Sequence, residues 1–568
     1  MHADIDGRID ALFSQFDRPG TPGCAVGVIK DGALIYAKGH GYANLEHDVQ
    51  ITPRTVFHCA SMSKQFTAMS IALLEEQGLV NAGDDIRLYL PELPNYGQEI
   101  TVDHLVHMTN GLYDIYSLAN FILGIREDDY FTREQAWEMV KACDWLMFRP
   151  GEKWSYGNTG YFLLAEIVER ASGQHLSEFA DRHIFQPLGM SSTLFRDDRA
   201  MLIKHRAESY SDYAHVHYND ARPSYCSRGQ AYAINADLMF LPGAGGMWTT
   251  VEDLYQWDQN FYRNRLGKGS GELVQKVTAP GRLNDGSHVP YGYGLFLRSK
   301  SGFNYAFHGG SAYGWSSAIY RIPEQRFSVI CLGNHTSLFD QIEVYPESRG
   351  LLDQVAELMV SGYRVGPEPE PTIGSSAVSD LPAWCAELAG EYQNPKDSWL
   401  WQITLDDGRL RVRENYSTSF ELEAEQDETC HDRSGSLLVR AVRDCGRVTG
   451  LRVQRCGQTS FYHRFLTGLD EQALGEYAGD YRCQRLDAGF SVGVQDGALR
   501  LLNHNRHNTG IDLSYRPTIR DSFLASAPPY CLWYCITFQR DCTGQVVSFA
   551  YRDDEGSKRE NLVFTRMR

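Results

Sequence analysis

Phe57-His-Cys-Ala-Ser61-Met-Ser-Lys64-Gln-Phe-Thr-Ala-Met-Ser-Ile-Ala-Leu-Leu74 is the stretch from which the rest of the chain is read. Its apolar residues keep the 3.6-residue period of a helix, predicting one across roughly 61 to 80, with Ser61 in the first turn. Lys64 follows three residues later, so the two side chains share one face. A hydroxyl at a helix N-terminus lies where free backbone N–H groups and the helix dipole favour negative charge, as an acyl-transfer oxyanion requires. A neighbouring amine accepts the hydroxyl proton only when neutral, which calls for burial and a supporting group. Alone, Ser-x-x-Lys arises about once by chance in a chain of this composition, so its meaning depends on other residues.

Two further elements supply them. Gly151-Glu-Lys-Trp-Ser-Tyr156-Gly-Asn158 reads as a turn ahead of a helix and offers a phenol and an amide on one short loop. A phenol beside Lys64 can pass protons between nucleophile and leaving group. Phe307-His308-Gly309-Gly310-Ser311 closes a strand, and its glycines let a substrate backbone lie close along the strand edge. Taken singly, Tyr156 reads as a packed aromatic and His308 as a core histidine.

Outward from these elements, Ile5, Ile9, Leu12, Phe13 and Phe16 share one helical face. Cys24 to Tyr36 reads as two strands around Asp31-Gly32. Helical periodicity recurs near 101–108, 133–142, 158–172 and 251–262. Strand signals return at 305–308, 316–321 and 327–332, before an apolar helix near 349–361. Strands from both ends of a unit of residues 1–365 therefore enclose a helical insertion. The Pro-, Gly- and Ser-rich stretch at 366–380 reads as a linker. Beyond it Tyr392 and Leu410 recur as Tyr481 and Leu499, Asp407-Gly408 as Asp496-Gly497, and Arg443-Asp-Cys445 as Arg540-Asp-Cys542. This repeat predicts two β modules, 381–468 and 469–568. Short strands must cover or close their edges, which favours antiparallel barrels.

The whole-chain figures narrow the function. At 568 residues, with 43% apolar and 22% charged residues, the chain has ordinary globular composition and room for several domains. Its formal charge of −18 repels phosphate backbones and anionic lipid, so nucleic acid and membrane are not expected partners. The first residues given are acidic without an apolar stretch and no run of 18 or more apolar residues follows, so neither export nor a membrane span is expected. Thirteen scattered cysteines suit buried thiols in a reducing compartment, and the cytoplasm is the expected location. His104 with His107, His215-Val-His217, and the Cys531/Cys535 pair lack metal spacing, and no phosphate-binding loop follows a strand, so neither metal nor cofactor is expected.

The three elements, in this order, resemble the penicillin-recognising serine hydrolases: serine β-lactamases, DD-peptidases and their esterase and aminopeptidase relatives. Ile100 to Leu112, Ile184 to Met190, Gly245 to Asp253 and Tyr291-Gly-Tyr-Gly294 add to the likeness. The resemblance implies an α+β fold, with an antiparallel sheet covered by helices on both faces and a helical subdomain. It implies Ser61 as acylated nucleophile, Lys64 as its base, Tyr156 as proton relay and Asn158 as a group that binds the substrate amide and holds Lys64. The backbone N–H groups of Ser61 and Ser311 would form the oxyanion hole, with His308, Gly309 and Gly310 lining the site. An acyl-enzyme would pass to water or an amine.

At the third element β-lactamases and DD-peptidases usually carry Lys-Thr-Gly or Lys-Ser-Gly, which grips a substrate carboxylate. His308-Gly309-Gly310 supplies neither a permanent cation nor a hydroxyl, and this disfavours β-lactams as primary substrates. A His-x-Gly element followed by two barrels resembles the D-stereospecific aminopeptidases most, implying a peptide, amide or ester substrate. In those enzymes a loop of the last barrel brings an acidic group to the substrate ammonium. The matching stretch here, Leu502 to Gly510, is basic and amide-rich, and Arg506, His504 or His507 is expected to meet a polar or acidic part of the substrate. Alternatives within the superfamily are a peptide cyclase or transpeptidase and a carboxylesterase. Outside catalysis the alternative is an acylated sensor without turnover. A homo-oligomer is compatible with the sequence.

Overall fold

A computed structural model of the chain describes residues 2–119, 131–212, 231–235, 241–312, 314–342 and 350–364, together with the strands, short helices and adjoining turns within 382–567. The expected linker at 366–380, His215 and His217, and the 504–510 loop with Arg506 lie outside the described residues, as does most of Cys531–Cys535. Apart from a short segment at 119–124, the chain forms two compact units that divide after Glu368.

The first unit opens with helix α1 (His2–Phe13) and the hairpin β1 (Cys24–Lys30) and β2 (Ala33–His40). Helices α2 (Lys64–Glu76), α3 (Arg133–Ala142), α4 (Thr159–Ser172) and α5 (Val251–Asn260) follow. Strands β3 (Phe296–Lys300), β4 (Phe303–Ala312), β5 (Trp315–Ile322) and β6 (Phe327–Gly333) then lead to α6 (Leu351–Met359). The sheet order is β3-β4-β5-β6-β1-β2, and every neighbouring pair is antiparallel. Strands from the two ends of the unit meet where Cys24 pairs with Gly333, so the helices between them form an insertion.

Alternation along β1 explains the two covered faces. Cys24, Val26 and Val28 point into a core with Ile9, Phe13 and Phe16, and with Leu352 and Val355 of α6. Gly27 faces the other way, where a Cβ would stand 2.4 Å from Val251 of α5, so this helix presses directly on the sheet backbone. A buried ion pair pins a helix to each of two strands. Arg321 Nε meets Asp258 Oδ1 at 2.7 Å, joining β5 to α5, and Lys300 Nζ meets Asp353 Oδ2 at 2.9 Å, joining β3 to α6.

The feature that shapes the site is a short neighbour. Strand β3 pairs with β4 only from Phe303 to Phe307, whereas β5 continues along β4 to Ala312. Among the described residues the β4 edge from His308 to Ala312 thus carries no strand on its β3 side, and the turn bearing Ser61 packs beside it. Gly310 permits that approach: a Cβ there would lie 2.2 Å from Cys59 O and 2.8 Å from Ser61 N. The expected role of this glycine, clearance for substrate, is joined by clearance for the nucleophile's own turn.

The second unit contains two closed barrels of eight strands, one running from Gly390–Gln393 to Gln458–Arg464 and the other from Gly479–Cys483 to Val563–Arg566. The sequence repeat is a structural one. Tyr392 and Tyr481 each sit on the first strand and pair with an arginine of the last, Arg464 and Arg566. Their hydroxyls donate to carbonyls four residues back, Leu388 at 2.8 Å and Tyr477 at 2.7 Å. Arg443 and Arg540 likewise both bind an acidic residue of left-handed backbone, Glu428 and Asp521, at 2.8 Å. Among the described residues no helix is long and apolar enough to cross a membrane.

Candidate active site

Helix α2 starts at Lys64, later than the sequence predicts, and Ser61 lies in a preceding 3-10 turn, Ala60–Ser63. The turn begins at Ala60, whose φ of +45° is a left-handed conformation that a side chain makes costly. Three contacts hold the turn in place. Ser63 Oγ donates to Ala60 O at 2.6 Å, Met247 N–H donates to Ser63 Oγ at 3.1 Å, and Ser317 Oγ of β5 donates to Cys59 O at 2.7 Å. Ser61 remains half-buried, open on one side.

Lys64 is fully buried, and its Nζ stands 2.9 Å from Ser61 Oγ, 2.8 Å from Asn158 Oδ1 and 2.9 Å from Ala244 O. The two carbonyl oxygens only accept. A neutral amine meets both with its two N–H bonds and turns its lone pair to the serine hydroxyl, which is the arrangement a general base needs.

Asn158 faces Lys64 through its oxygen because its nitrogen is claimed elsewhere. Asp114 Oδ1 accepts from the Asn158 backbone N–H at 2.7 Å and from Nδ2 at 2.9 Å, and a carboxylate offers nothing to an amide oxygen. Asp114 is itself fixed as the N-cap of a one-turn helix, its Oδ2 accepting from Ser117 N–H at 3.1 Å. The Tyr156 ring lies 5.0 Å from Lys64 Nζ and stacks parallel to Phe296, with ring centres 6.2 Å apart.

His308, 1% exposed, is held by both ring nitrogens: Nε2 lies 3.0 Å from the Tyr291 hydroxyl and Nδ1 2.6 Å from Gly309 O. Burial above all pushes its pKa down to about 3, and the Lys64 amine adds to this whenever it holds its proton, so the ring is neutral at neutral pH. The third element therefore brings no cation to the open β4 edge, where Ser311 is exposed.

The structure gathers Ser61, Lys64, Tyr156 and Asn158 around one amine, with His308 and Gly310 beside them. Arg506 lies outside the described residues. His104 closes a capping box with Thr101 and His107 pairs with Asp103 at 3.0 Å, both structural duties. Sequence reasoning missed Asp114, Ala244 and Tyr291. Asp114 carried a signal, a carboxylate placed to cap a helix just after the Ile100–Leu112 segment. Tyr291 sits in the quoted Tyr-Gly-Tyr-Gly run, and Ala244 contributes only its carbonyl, which no side chain announces.

Comparison with known proteins bears on the family and the fold. Residues 9–346 match the protein-family model described as Beta-lactamase. A D-aminopeptidase of Gluconobacter oxydans is 27% identical over 519 residues, covering 88% of this chain and 89% of the relative. A penicillin-binding protein of Bacillus subtilis is 32% identical over 320 residues, covering 53% of this chain and 66% of that protein. Among solved structures, the octameric penicillin-binding protein homologue from Pyrococcus abyssi superimposes with a TM-score of 0.53 at 22% identity, over 81% of this chain and 99% of that one, a likeness of fold.

Proposed function

The chain belongs to the beta-lactamase family, and from that premise we propose that it is a serine hydrolase of amide and peptide bonds, a D-stereospecific aminopeptidase or amidase releasing an N-terminal residue. The observation that carries the chemistry is the placement of Lys64 Nζ against Ser61 Oγ and two obligate acceptors. Ser61 passes its proton to neutral Lys64 as Oγ bonds to the substrate carbonyl carbon, and the carbonyl electron pair moves to oxygen between the N–H groups of Ser61 and Ser311. The pair returns as the C–N bond breaks, and the leaving amine takes its proton through Tyr156 from Lys64. Water then opens the Ser61 ester by the same route reversed.

The substrate class rests on two supports. The Gluconobacter oxydans D-aminopeptidase matches across the catalytic unit and the barrels alike, and it is the source of the D-configuration in this reading. The penicillin-binding relative favours a second reading, cleavage beside a carboxylate, but the neutral His308 gives such a group no cation to bind. The cytoplasm as compartment and recognition of the substrate by Arg506 complete the reading. A turnover panel of D- and L-aminoacyl anilides, their N-acetylated forms and simple esters tests it. Hydrolysis of the free D-aminoacyl anilides, lost on N-acetylation, is expected; activity that survives N-acetylation overturns the aminopeptidase assignment.

A further inference from the structure

Tyr291 is buried without exposure and its hydroxyl stands 3.0 Å from His308 Nε2, while Nδ1 of that ring stands 2.6 Å from the Gly309 carbonyl. A carbonyl only accepts, so Nδ1 carries the ring proton; Nε2 of the neutral ring then accepts, and Tyr291 donates. Phe296 of β3 packs on the same ring, with centres 5.3 Å apart, and Tyr156 at 6.3 Å. The charged and titratable groups facing His308 are thus Lys64 from α2, Tyr156 from its loop and Tyr291, with Tyr161 of α4 behind Tyr291.

The segment carrying Tyr291 also grips the nucleophile's helix. Gly294 has φ +72°, and a Cβ on it would lie 2.6 Å from the backbone of Lys64 and of Gln65. One four-residue run therefore touches the first turn of α2 at one end and the His308 ring at the other. On the reading that this is a hydrolytic site, we propose that Tyr291 is a positioning residue: by donating to His308 Nε2 it fixes the Nδ1–H tautomer, which holds the Gly309 carbonyl and with it the Gly309–Gly310 peptide, the unit directly before the one whose Ser311 N–H faces the acyl oxygen.

A double-mutant cycle on the full chain tests this. His308→Asn keeps a donor for Gly309 O but has no counterpart of Nε2. Tyr291→Phe is expected to lower kcat on a D-aminoacyl anilide by about 10- to 100-fold with little change in KM, because an oxyanion donor is displaced. In the His308→Asn background the same substitution should change kcat by less than about twofold, since the group it acts through is gone. Losses that multiply in the double variant overturn the proposal. Nitrogen NMR of the histidine-labelled protein needs no substrate and no variant: His308 should show protonated Nδ1 and unprotonated Nε2, and the reverse tautomer in the unsubstituted protein refutes the proposal. If no substrate is turned over while the tautomer is as stated, it is the hydrolase reading that fails and not the Tyr291 contact.

Discussion

Asp114 decides which way the Asn158 amide faces, because its Oδ1 takes both the backbone N–H and Nδ2 of that residue, at 2.7 and 2.9 Å. The amide oxygen is left to Lys64 Nζ, 2.8 Å away. A carboxylate that touches neither substrate nor nucleophile thereby orients the group that orients the base.

Replacing Asp114 with Ala should release the amide to rotate. A hydrogen bond to a charged group contributes about 1.5–3 kcal/mol, so kcat should fall about 10- to 100-fold. Steady-state kinetics with circular dichroism checks this, and unchanged kcat in a folded variant would show that Asn158 keeps its orientation without help.

Gly310→Ala places a methyl 2.2 Å from Cys59 O, 2.7 Å from Ser317 Oγ and 2.8 Å from Ser61 N. Two of these atoms are backbone and have little room to yield. We expect a stability loss of about 1–3 kcal/mol, with acylation reduced at least about 100-fold because the Ser61 turn shifts away from the β4 edge. Urea denaturation and the rate of covalent labelling measure the two effects separately.

The buried pair between Arg321 and Asp258 predicts an asymmetric response. Asp258 also accepts from Ser328 Oγ at 2.7 Å, and the guanidinium stacks 3.9 Å from the Phe261 ring centre. Asp258→Ala strands an unexposed cation and should cost about 3–5 kcal/mol, whereas replacing both partners by apolar residues of similar size should cost far less. Denaturation midpoints of the single and double variants decide this.

His308 gives the protein a pH signature. Its folded pKa, about 3, lies below its unfolded value near 6.5, so between those limits the unfolded chain binds the extra proton and stability rises with pH. The cost is absent above pH 6.5 and grows by about 1.4 kcal/mol for each pH unit below it, until the folded ring protonates. The stability difference between wild type and His308→Asn at pH 7 and pH 5, by urea titration, isolates this group; equal differences at both pH values would show that the ring is not held neutral.

Much of this site was legible because its parts are side chains at fixed spacings. Ser61 and Lys64 stand one turn apart, Asn158 stands directly before the helix that the 158–172 periodicity marks, and His308 lies in a strand the alternation marks at 305–308, although that strand runs on to Ala312. The β1–β2 hairpin showed itself through Asp31-Gly32, and the paired barrels through Tyr392 and Tyr481. What stayed hidden acts through backbone or orientation. The Ala244 carbonyl has no residue-type signal, and the left-handed Ala60 at the start of the turn bearing Ser61 looks like any other alanine. The short pairing of β3, which leaves the β4 edge open beyond Phe307, depends on register, and Tyr291 gains its meaning only from the ring it faces.

Intact-mass analysis after incubation with a fluorophosphonate tests the central claim most directly. One adduct should form, map to Ser61, be absent from Ser61→Ala, and form at least about 100-fold more slowly in a folded Lys64→Ala variant. Labelling of Ser61→Ala at the wild-type rate, or of Lys64→Ala without slowing, would contradict the account.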